Sequence, residues 1–178
     1  MNRLHTVSIV EATGPAAQVF SSIKAAIGSV PNTFLTAGTN SPLALSAALA
    51  LDAGVHKGSL SAKEIEVIKL AVSEVSSCDY CLAAHTAIGK QAGLSREAVL
   101  AARFGQPSDN RRFDALSTFA RALVGTVGTV PADVVADVRA EGYTDQQIVD
   151  ALLAVTSITF TNLINRVNDT PLDLPAAD

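Results

Sequence analysis

Apolar residues recur every three or four positions along most of the chain, which is the spacing of amphipathic α-helices. In the segment from Ser61 to Val75, they cover a wide stripe that includes Ile65, Val67, Ile68, Leu70, Ala71 and Val72. This width predicts that the segment is a central helix. The strict alternation of apolar and polar residues that marks half-buried strands is almost absent. The pattern therefore predicts an all-α protein.

Capping residues, prolines and glycines divide the chain into about seven or eight helices. Ser61 with Glu64 and Thr144 with Gln147 have the spacing of capping boxes, in which each side chain binds the other residue's amide. The predicted helices cover residues 15–27, 42–53, 61–75, 78–92, 95–104, 109–124, 131–142 and 144–167. Residues 29–40 are predicted to be a turn-rich connector. The tail from about residue 169 is predicted to be extended.

A weak internal repeat relates the segments 61–73 and 144–156. Both begin with a capping box and continue into Leu-Ala-Val followed by Ser73 or Thr156. Two related helical hairpins would explain the repeat. A chance similarity between two capped helices rich in alanine and valine would explain it equally well.

The length and composition fit one globular domain over residues 1–178. The chain is 48% hydrophobic and 17% charged, so a sizeable core is expected and disorder is not. The formal net charge is −4, and Arg111 and Arg112 are the only adjacent cations. Nucleic-acid binding requires a basic face, and this composition does not supply one.

No apolar run in the sequence approaches the roughly 20 residues that span a bilayer. The best candidate, Leu43–Leu51, is too short, and no signal-peptide core follows Met1–His5. We therefore expect a cytoplasmic protein without a membrane partner. The mean hydropathy of +0.31 is high for a monomer, which favours a homo-oligomer.

The two cysteines and one histidine form the only cluster with distinctive chemistry. Cys78 and Cys81 are three residues apart, and His85 follows Cys81 by four. If Ser76 or Ser77 caps the helix, both thiols lie on one face of its first turns, close enough to form a disulfide after a slight tightening. The unpaired amides and the dipole at a helix N-terminus favour a thiolate.

These spacings assign a separate role to each of the three residues. Cys81 is the attacking thiolate, His85 is its base one turn away, and Cys78 is the resolving thiol. Attack on a peroxide yields a sulfenic acid at Cys81, which condenses with Cys78 to a disulfide, and an external dithiol restores the enzyme without a bound cofactor. Glu66 is the best candidate to orient His85. The alternative is a solvent-facing Glu66 paired with Lys69 or Lys63.

The motif resembles the AhpD-like branch of the carboxymuconolactone decarboxylase superfamily. The resemblance is carried by Leu60–Glu66, Leu70–Ser73 and Cys78–His85, and its strong part covers Leu60–Gly93. The helical pattern and the closing stretch Asn162–Pro171 are similar to the peroxidase-related members of that superfamily.

The resemblance implies an all-α fold and the reduction of alkyl hydroperoxides by an alkylhydroperoxide reductase. Carried over by position, it implies that Glu66 and His85 form a proton relay, that Cys81 is peroxidatic and that Cys78 is resolving. It also implies trimers or hexamers. Tyr80 stands where the best-known members have a second histidine. It is expected to line the substrate-binding pocket, to hydrogen-bond the relay or to pack in the core.

Of four other interpretations of the cysteine pair, the sequence argues against the thioredoxin-like motif and haem attachment. A structural zinc site would need His85 together with the distant His5 or His56, which are otherwise expected to be solvated. A thioredoxin-like motif would need a βαβ unit, and haem attachment would need a histidine where Leu82 stands. Two inert, buried thiols in a helical oligomer are the fourth.

A non-redox, decarboxylase-like enzyme of the wider superfamily is the main enzymatic alternative. Members of that kind generally lack the cysteine pair, so the motif argues against this interpretation. Asn162 and Asn165, which lie opposite the motif in the weak repeat, are expected near a pocket or an interface.

Overall fold

The computed structural model of the protein describes residues 2–177, and these form nine α-helices with no β-strand among them. The predicted domain also includes Met1 and Asp178, which lie outside the described residues. The all-α class is confirmed. The helices are α1 (Gly14–Ile27), α2 (Asn32–Asn40), α3 (Pro42–Val55), α4 (Ala62–Val75), α5 (Asp79–Gln91), α6 (Arg96–Phe104), α7 (Arg111–Gly125), α8 (Ala132–Ala140) and α9 (Asp145–Asn168).

Helix α4 is the centre of the bundle, as its wide apolar stripe predicts. It packs against α5, α6, α7 and α9, and residues 64–73 are all buried. Its start is fixed by the predicted capping box, in which Ser61 N donates to Glu64 Oε2 at 2.8 Å and Glu64 N donates to Ser61 Oγ at 3.3 Å. Because the helix is covered on every side, any charged residue on it needs a partner from a neighbouring helix.

Helix α9 is long and apolar enough, by length and composition alone, to cross a membrane. The apolar pattern of the sequence did not predict such a helix. Helix α9 packs against α3 and α4, and three of its asparagines, Asn162, Asn165 and Asn168, are buried. This packing, with polar side chains inside the bundle, is that of a core helix.

The internal repeat corresponds to α4 and α9, which both begin with complete capping boxes and pack against each other. The similarity does not extend to a second hairpin. After α4 the chain reverses direction and forms α5. At the positions of α9 that correspond to this reversal, the chain simply continues as one helix of 24 residues.

The prediction of a connector over residues 29–40 is wrong for most of that segment, because Asn32–Asn40 forms α2. Pro31 precedes the first turn, and its carbonyl accepts from the amides of Phe34 and Leu35. The buried positions of α2 are Thr33, Thr36, Ala37 and Gly38. These residues are small or polar, so the segment lacks the apolar periodicity by which helices are recognised in a sequence.

The tail beyond α9 folds back across the bundle without forming a helix. Asp169 adopts a left-handed conformation that ends α9. Asn32 Nδ2 then donates to Pro171 O at 3.1 Å, and Asn32 N donates to Asp173 Oδ2 at 2.8 Å. The tail is thus tied to the first turn of α2.

Gly38 allows α2 to approach α1 and α3 closely. A Cβ atom at this position would overlap the Phe20 ring and lie 2.8 Å from Leu45 Cδ2. We expect Gly38→Ala to lower the free energy of unfolding by about 1–3 kcal/mol, as measured by urea denaturation.

Gly54→Ala is the matched control for this substitution. Its Cβ would lie 3.6 Å from Leu153 Cδ2, which is an ordinary contact. Since alanine is the better helix former, we expect this variant to be unchanged or stabilised by up to about 1 kcal/mol. Equal losses of stability in the two variants would contradict the close packing at Gly38.

Candidate active site

The two cysteines lie at the turn between α4 and α5. Cys78 is itself the N-cap of α5, not the first or second helical residue behind a Ser76 or Ser77 cap, and its amide donates to Ser73 O at 3.0 Å. Ser77 has a φ of 50°, a left-handed conformation that reverses the chain at this point. Cys81 lies in the first helical turn, as predicted. Both thiols are free and buried.

Glu66 and His85 form a buried pair that joins α4 to α5. His85 Nδ1 lies 2.8 Å from Glu66 Oε2, and Glu66 is only 2% exposed. The alternative of a solvent-facing Glu66 paired with Lys69 or Lys63 is therefore wrong. With Glu66 ionised, Nδ1–H donates to the carboxylate and Nε2 is left as a proton acceptor.

Helix α9 supplies two polar neighbours to the Cys81 sulfur. Asn165 Nδ2 donates to Cys81 Sγ at 3.3 Å, and Thr161 Oγ1 lies 3.9 Å from the same sulfur. The sequence did not decide whether Asn165 lies near a pocket or near an interface, and the structure places it at the thiol. Asn162 is one turn away, where its Oδ1 accepts from Ser73 Oγ at 3.2 Å. No signal in the sequence distinguished these two asparagines, and Thr161 was missed.

The two sulfurs share a hydrogen bond that gives them different acidities. The pKa of Cys78 is lowered because the Cys81 thiol hydrogen-bonds to its sulfur, although burial acts in the opposite direction. The pKa of Cys81 is raised because its proton is held in that bond, and because burial and the charge on Cys78 disfavour a second anion. The pair thus carries one negative charge at a time. Cys81 needs a base before it can act as a thiolate.

A cavity of about 400 Å³ opens beside this cluster. Cys81, His85 and Glu66 line it, whereas Cys78 does not. The rest of its wall is mainly apolar, with Ile27, Phe34, Leu49, Ile88, Ile158 and Leu174 among the lining residues. A cavity of this size and character suits a small organic molecule.

Comparisons with known proteins agree with this fold and motif. Residues 42–110 match the carboxymuconolactone decarboxylase family. A structure of a protein of unknown function from Agrobacterium tumefaciens, proposed to be the antioxidant defence protein AhpD, is 25% identical, with 77% of this chain and 95% of that chain covered and a TM-score of 0.71. These similarities support a place for the chain in the AhpD/carboxymuconolactone decarboxylase superfamily.

Two further structures show the same fold over nearly the whole chain. An uncharacterised peroxidase-related protein from Ralstonia eutropha with an alkylhydroperoxidase AhpD core is 21% identical, with 97% of this chain and 92% of that chain covered and a TM-score of 0.84. A cysteine-to-alanine variant of the debrominase Bmp8, in complex with 2,3,4-tribromopyrrole, is 20% identical, with the same coverage and a TM-score of 0.80. No curated protein sequence matches the chain significantly.

Tyr80, between the two cysteines, lines the cavity and contacts the tail. Its hydroxyl donates to Asp173 Oδ1 at 2.6 Å. The pKa of Tyr80 is raised, because burial disfavours the phenolate and Asp173 adds a negative charge. Tyr80 therefore stays protonated and does not act as a base near neutral pH.

Within residues 2–177, no group of three or more His, Cys, Asp or Glu side chains is arranged to hold a metal ion. His5 is exposed. His56 is half-exposed beside Asp52, with 3.6 Å between Nε2 and Oδ2. Asp52 and Ser157, which also line the cavity, were not recognised in the sequence as site residues.

The hydrogen bond between the thiols predicts how Cys78 responds to changes at residue 81. In Cys81→Ala the donor is lost, so we expect the pKa of Cys78 to rise. Cys81→Ser retains a hydroxyl donor and should keep that pKa lower than in the alanine variant. Thiolate absorbance measured against pH gives both values, and equal pKa values in the two variants would contradict the proposed donor.

The hydrogen bond from Tyr80 predicts that Tyr80→Phe loosens the tail. Hydrogen exchange should accelerate at the amide of Asn32 and across residues 172–174. Tyr143→Phe is the matched control, because the buried Tyr143 hydroxyl donates to Arg112 O, away from the tail. Unchanged exchange in Tyr80→Phe would show that this contact does not hold the tail.

Proposed function

We propose that this protein reduces organic hydroperoxides through a dithiol–disulfide cycle of Cys78 and Cys81, with Glu66 and His85 as the proton relay. The observation that carries the proposal is the Glu66–His85 pair. A buried carboxylate fixes the imidazole at the cavity that Cys81 lines. This is the arrangement expected of a general base held in one tautomer beside a nucleophile.

In the first step, the Cys81 thiolate attacks the peroxide. His85 Nε2 accepts the Cys81 proton, which the raised pKa of that thiol makes necessary. The sulfur then forms a bond to one peroxide oxygen as the O–O bond breaks. The alkoxide leaves with the proton from His85 as an alcohol, and Cys81 becomes a sulfenic acid. Asn165 Nδ2, which already donates a hydrogen bond to Sγ, stabilises negative charge on the sulfur.

In the second step, Cys78 resolves the sulfenic acid. Its lowered pKa supplies a thiolate beside Cys81. The Cys78 sulfur attacks the Cys81 sulfur, the S–O bond breaks, and the released hydroxide takes up a proton and leaves as water. The product is an intramolecular disulfide across the first turn of α5.

An external dithiol completes the cycle. It reduces the disulfide by thiol–disulfide exchange and becomes a disulfide itself, so electrons are conserved without a bound cofactor. The dithiol belongs to a small molecule or a protein reductant. Neither nucleic acid nor membrane takes part in the proposed cycle.

The proposal includes a homo-oligomer, a trimer or a hexamer, in the cytoplasm. The oligomer is supported by the outer face of α9, where four apolar side chains are exposed: Val149, Leu152, Leu163 and Val167. Exposed apolar surface of this kind is commonly covered by another subunit.

Mass spectrometry after one equivalent of cumene hydroperoxide tests the proposal directly. We expect a Cys78–Cys81 disulfide in the wild-type protein, no disulfide in Cys81→Ser, and an accumulated sulfenic acid in Cys78→Ser. Thiols that stay unreactive would favour the structural role of the pair. Turnover of a carboxymuconolactone with unreactive thiols would favour the decarboxylase-like alternative.

Glu66→Gln tests the relay, since it keeps the shape of the side chain but removes the charge that orients His85. We expect peroxide reduction to slow by roughly 100-fold or more, as measured by the rate of disulfide formation. Glu97→Gln, an exposed position on α6, is the matched control and should react at the wild-type rate. A wild-type rate in Glu66→Gln would remove this carboxylate from the mechanism.

A further inference from the structure

The cavity has a second polar centre that the proposed peroxide cycle does not use. Lys69 Nζ donates to Asp52 Oδ1 at 2.7 Å, and Ser157 Oγ donates to the same oxygen at 3.0 Å. All three side chains line the cavity. Lys69 is only 4% exposed, so its ammonium group lies inside a mainly apolar wall.

The Lys69 ammonium group has more hydrogen-bond donors than acceptors around it. An ammonium group carries three donors and no acceptor. Among residues 2–177, Asp52 is the only acceptor that Lys69 Nζ contacts. Two N–H groups are therefore available to a molecule in the cavity. A buried donor that gains an oxygen acceptor contributes substantially to binding, because it otherwise stays unpaired.

The helices set the distance between the two polar centres. Glu66 and Lys69 are three residues apart on α4, and Thr161 and Ser157 are four residues apart on α9. Glu66 and Thr161 contact His85 and Cys81, whereas Lys69 and Ser157 contact Asp52. Residues at these spacings are one turn apart, roughly 5–6 Å between Cβ atoms. Both helices thus separate the thiol centre from the Lys69 centre by one turn.

The charges in the cavity favour an uncharged ligand. Asp52 neutralises Lys69. Burial raises the pKa of Asp52, but the Lys69 charge and hydrogen bond and the Ser157 hydrogen bond outweigh burial, so the net pKa is lowered and the group stays ionised. Glu66 adds a second carboxylate to the same wall. A carboxylate on the ligand would face both of these anions, whereas a hydroxyl or carbonyl oxygen would accept from Lys69 without that repulsion.

We infer that the cavity selects uncharged organic molecules with an apolar body and two oxygen functions about one helical turn apart. One oxygen function lies at Cys81 and His85, and the other accepts a hydrogen bond from Lys69. Combined with the proposed function, on which this reading of the substrate rests, the preferred substrates are hydroperoxides that also carry a hydroxyl or carbonyl group.

Binding of stable alcohols tests the inference without relying on peroxide turnover. The probes share one skeleton: cumyl alcohol, its meta-hydroxymethyl derivative and its meta-carboxylate. Calorimetric titration of the reduced wild-type protein should show the hydroxymethyl derivative binding about tenfold more tightly than cumyl alcohol. The carboxylate should bind more weakly than the hydroxymethyl derivative. Equal affinities for the two alcohols, or tightest binding of the carboxylate, would overturn the inference.

Lys69→Met removes the donors and keeps the length of the side chain. We expect it to abolish the preference for the hydroxymethyl derivative while cumyl alcohol still binds. Lys63→Met, at an exposed position on the same helix, is the matched control and should retain the preference. Retention of the preference in a folded Lys69→Met protein would also overturn the inference.

The wild-type titrations decide the question even if Lys69→Met fails to fold. They also separate this inference from the proposed function. A protein with the predicted binding order but no reaction with cumene hydroperoxide would retain the ligand class and lose the peroxidase activity. A protein that reacts with cumene hydroperoxide but lacks the predicted binding order would retain the peroxidase activity and lose the proposed role of Lys69.

Discussion

A carboxylate inside an apolar helix bundle is tolerated only where a partner compensates for its lost hydration, and Glu66 meets this condition through His85. The same constraint applies to residues 64–73 of α4, which are all buried. Its three buried charges each pair with a different helix: Glu64 with Arg112 of α7, Glu66 with His85 of α5, and Lys69 with Asp52 of α3. The ion pairs that allow α4 to be buried therefore also fix the orientation of the helices around the cavity.

Local signals in the sequence predicted most of the fold. Capping boxes and apolar periodicity located α4 and α9, because both features depend on residues only three or four positions apart. Helix α2 was missed because its buried face consists of Thr33, Thr36, Ala37 and Gly38. Gly38 lies close to Phe20 and Leu45, but no local rule identifies these small or polar residues as a buried face. Their environment is determined by segments far away in the sequence.

The candidate site likewise contains residues that local sequence patterns predicted and residues that they could not predict. Cys78, Cys81 and His85 were recognisable because they lie within eight residues of one another. Spacing alone could not decide between His85 and a surface lysine as the partner of Glu66, since burial settles that choice. Asn165 and Asp52 reach the cavity from α9 and α3. The weak repeat pointed to Asn165 without placing it at the thiol, and nothing in the immediate sequence marks Asp52, so only the packing of the helices identifies their positions.

The environment of Cys81 also has a consequence for synthesis of the chain. Its donor Asn165 is 84 positions further along, and the Tyr80 partner Asp173 is 93 positions beyond that tyrosine. When α4 and α5 leave the ribosome, both thiols are present but the helix that covers them has not yet been made. The nascent chain thus passes through a period in which its sulfurs are unprotected against oxidation and mispairing, and docking of α9 ends that period.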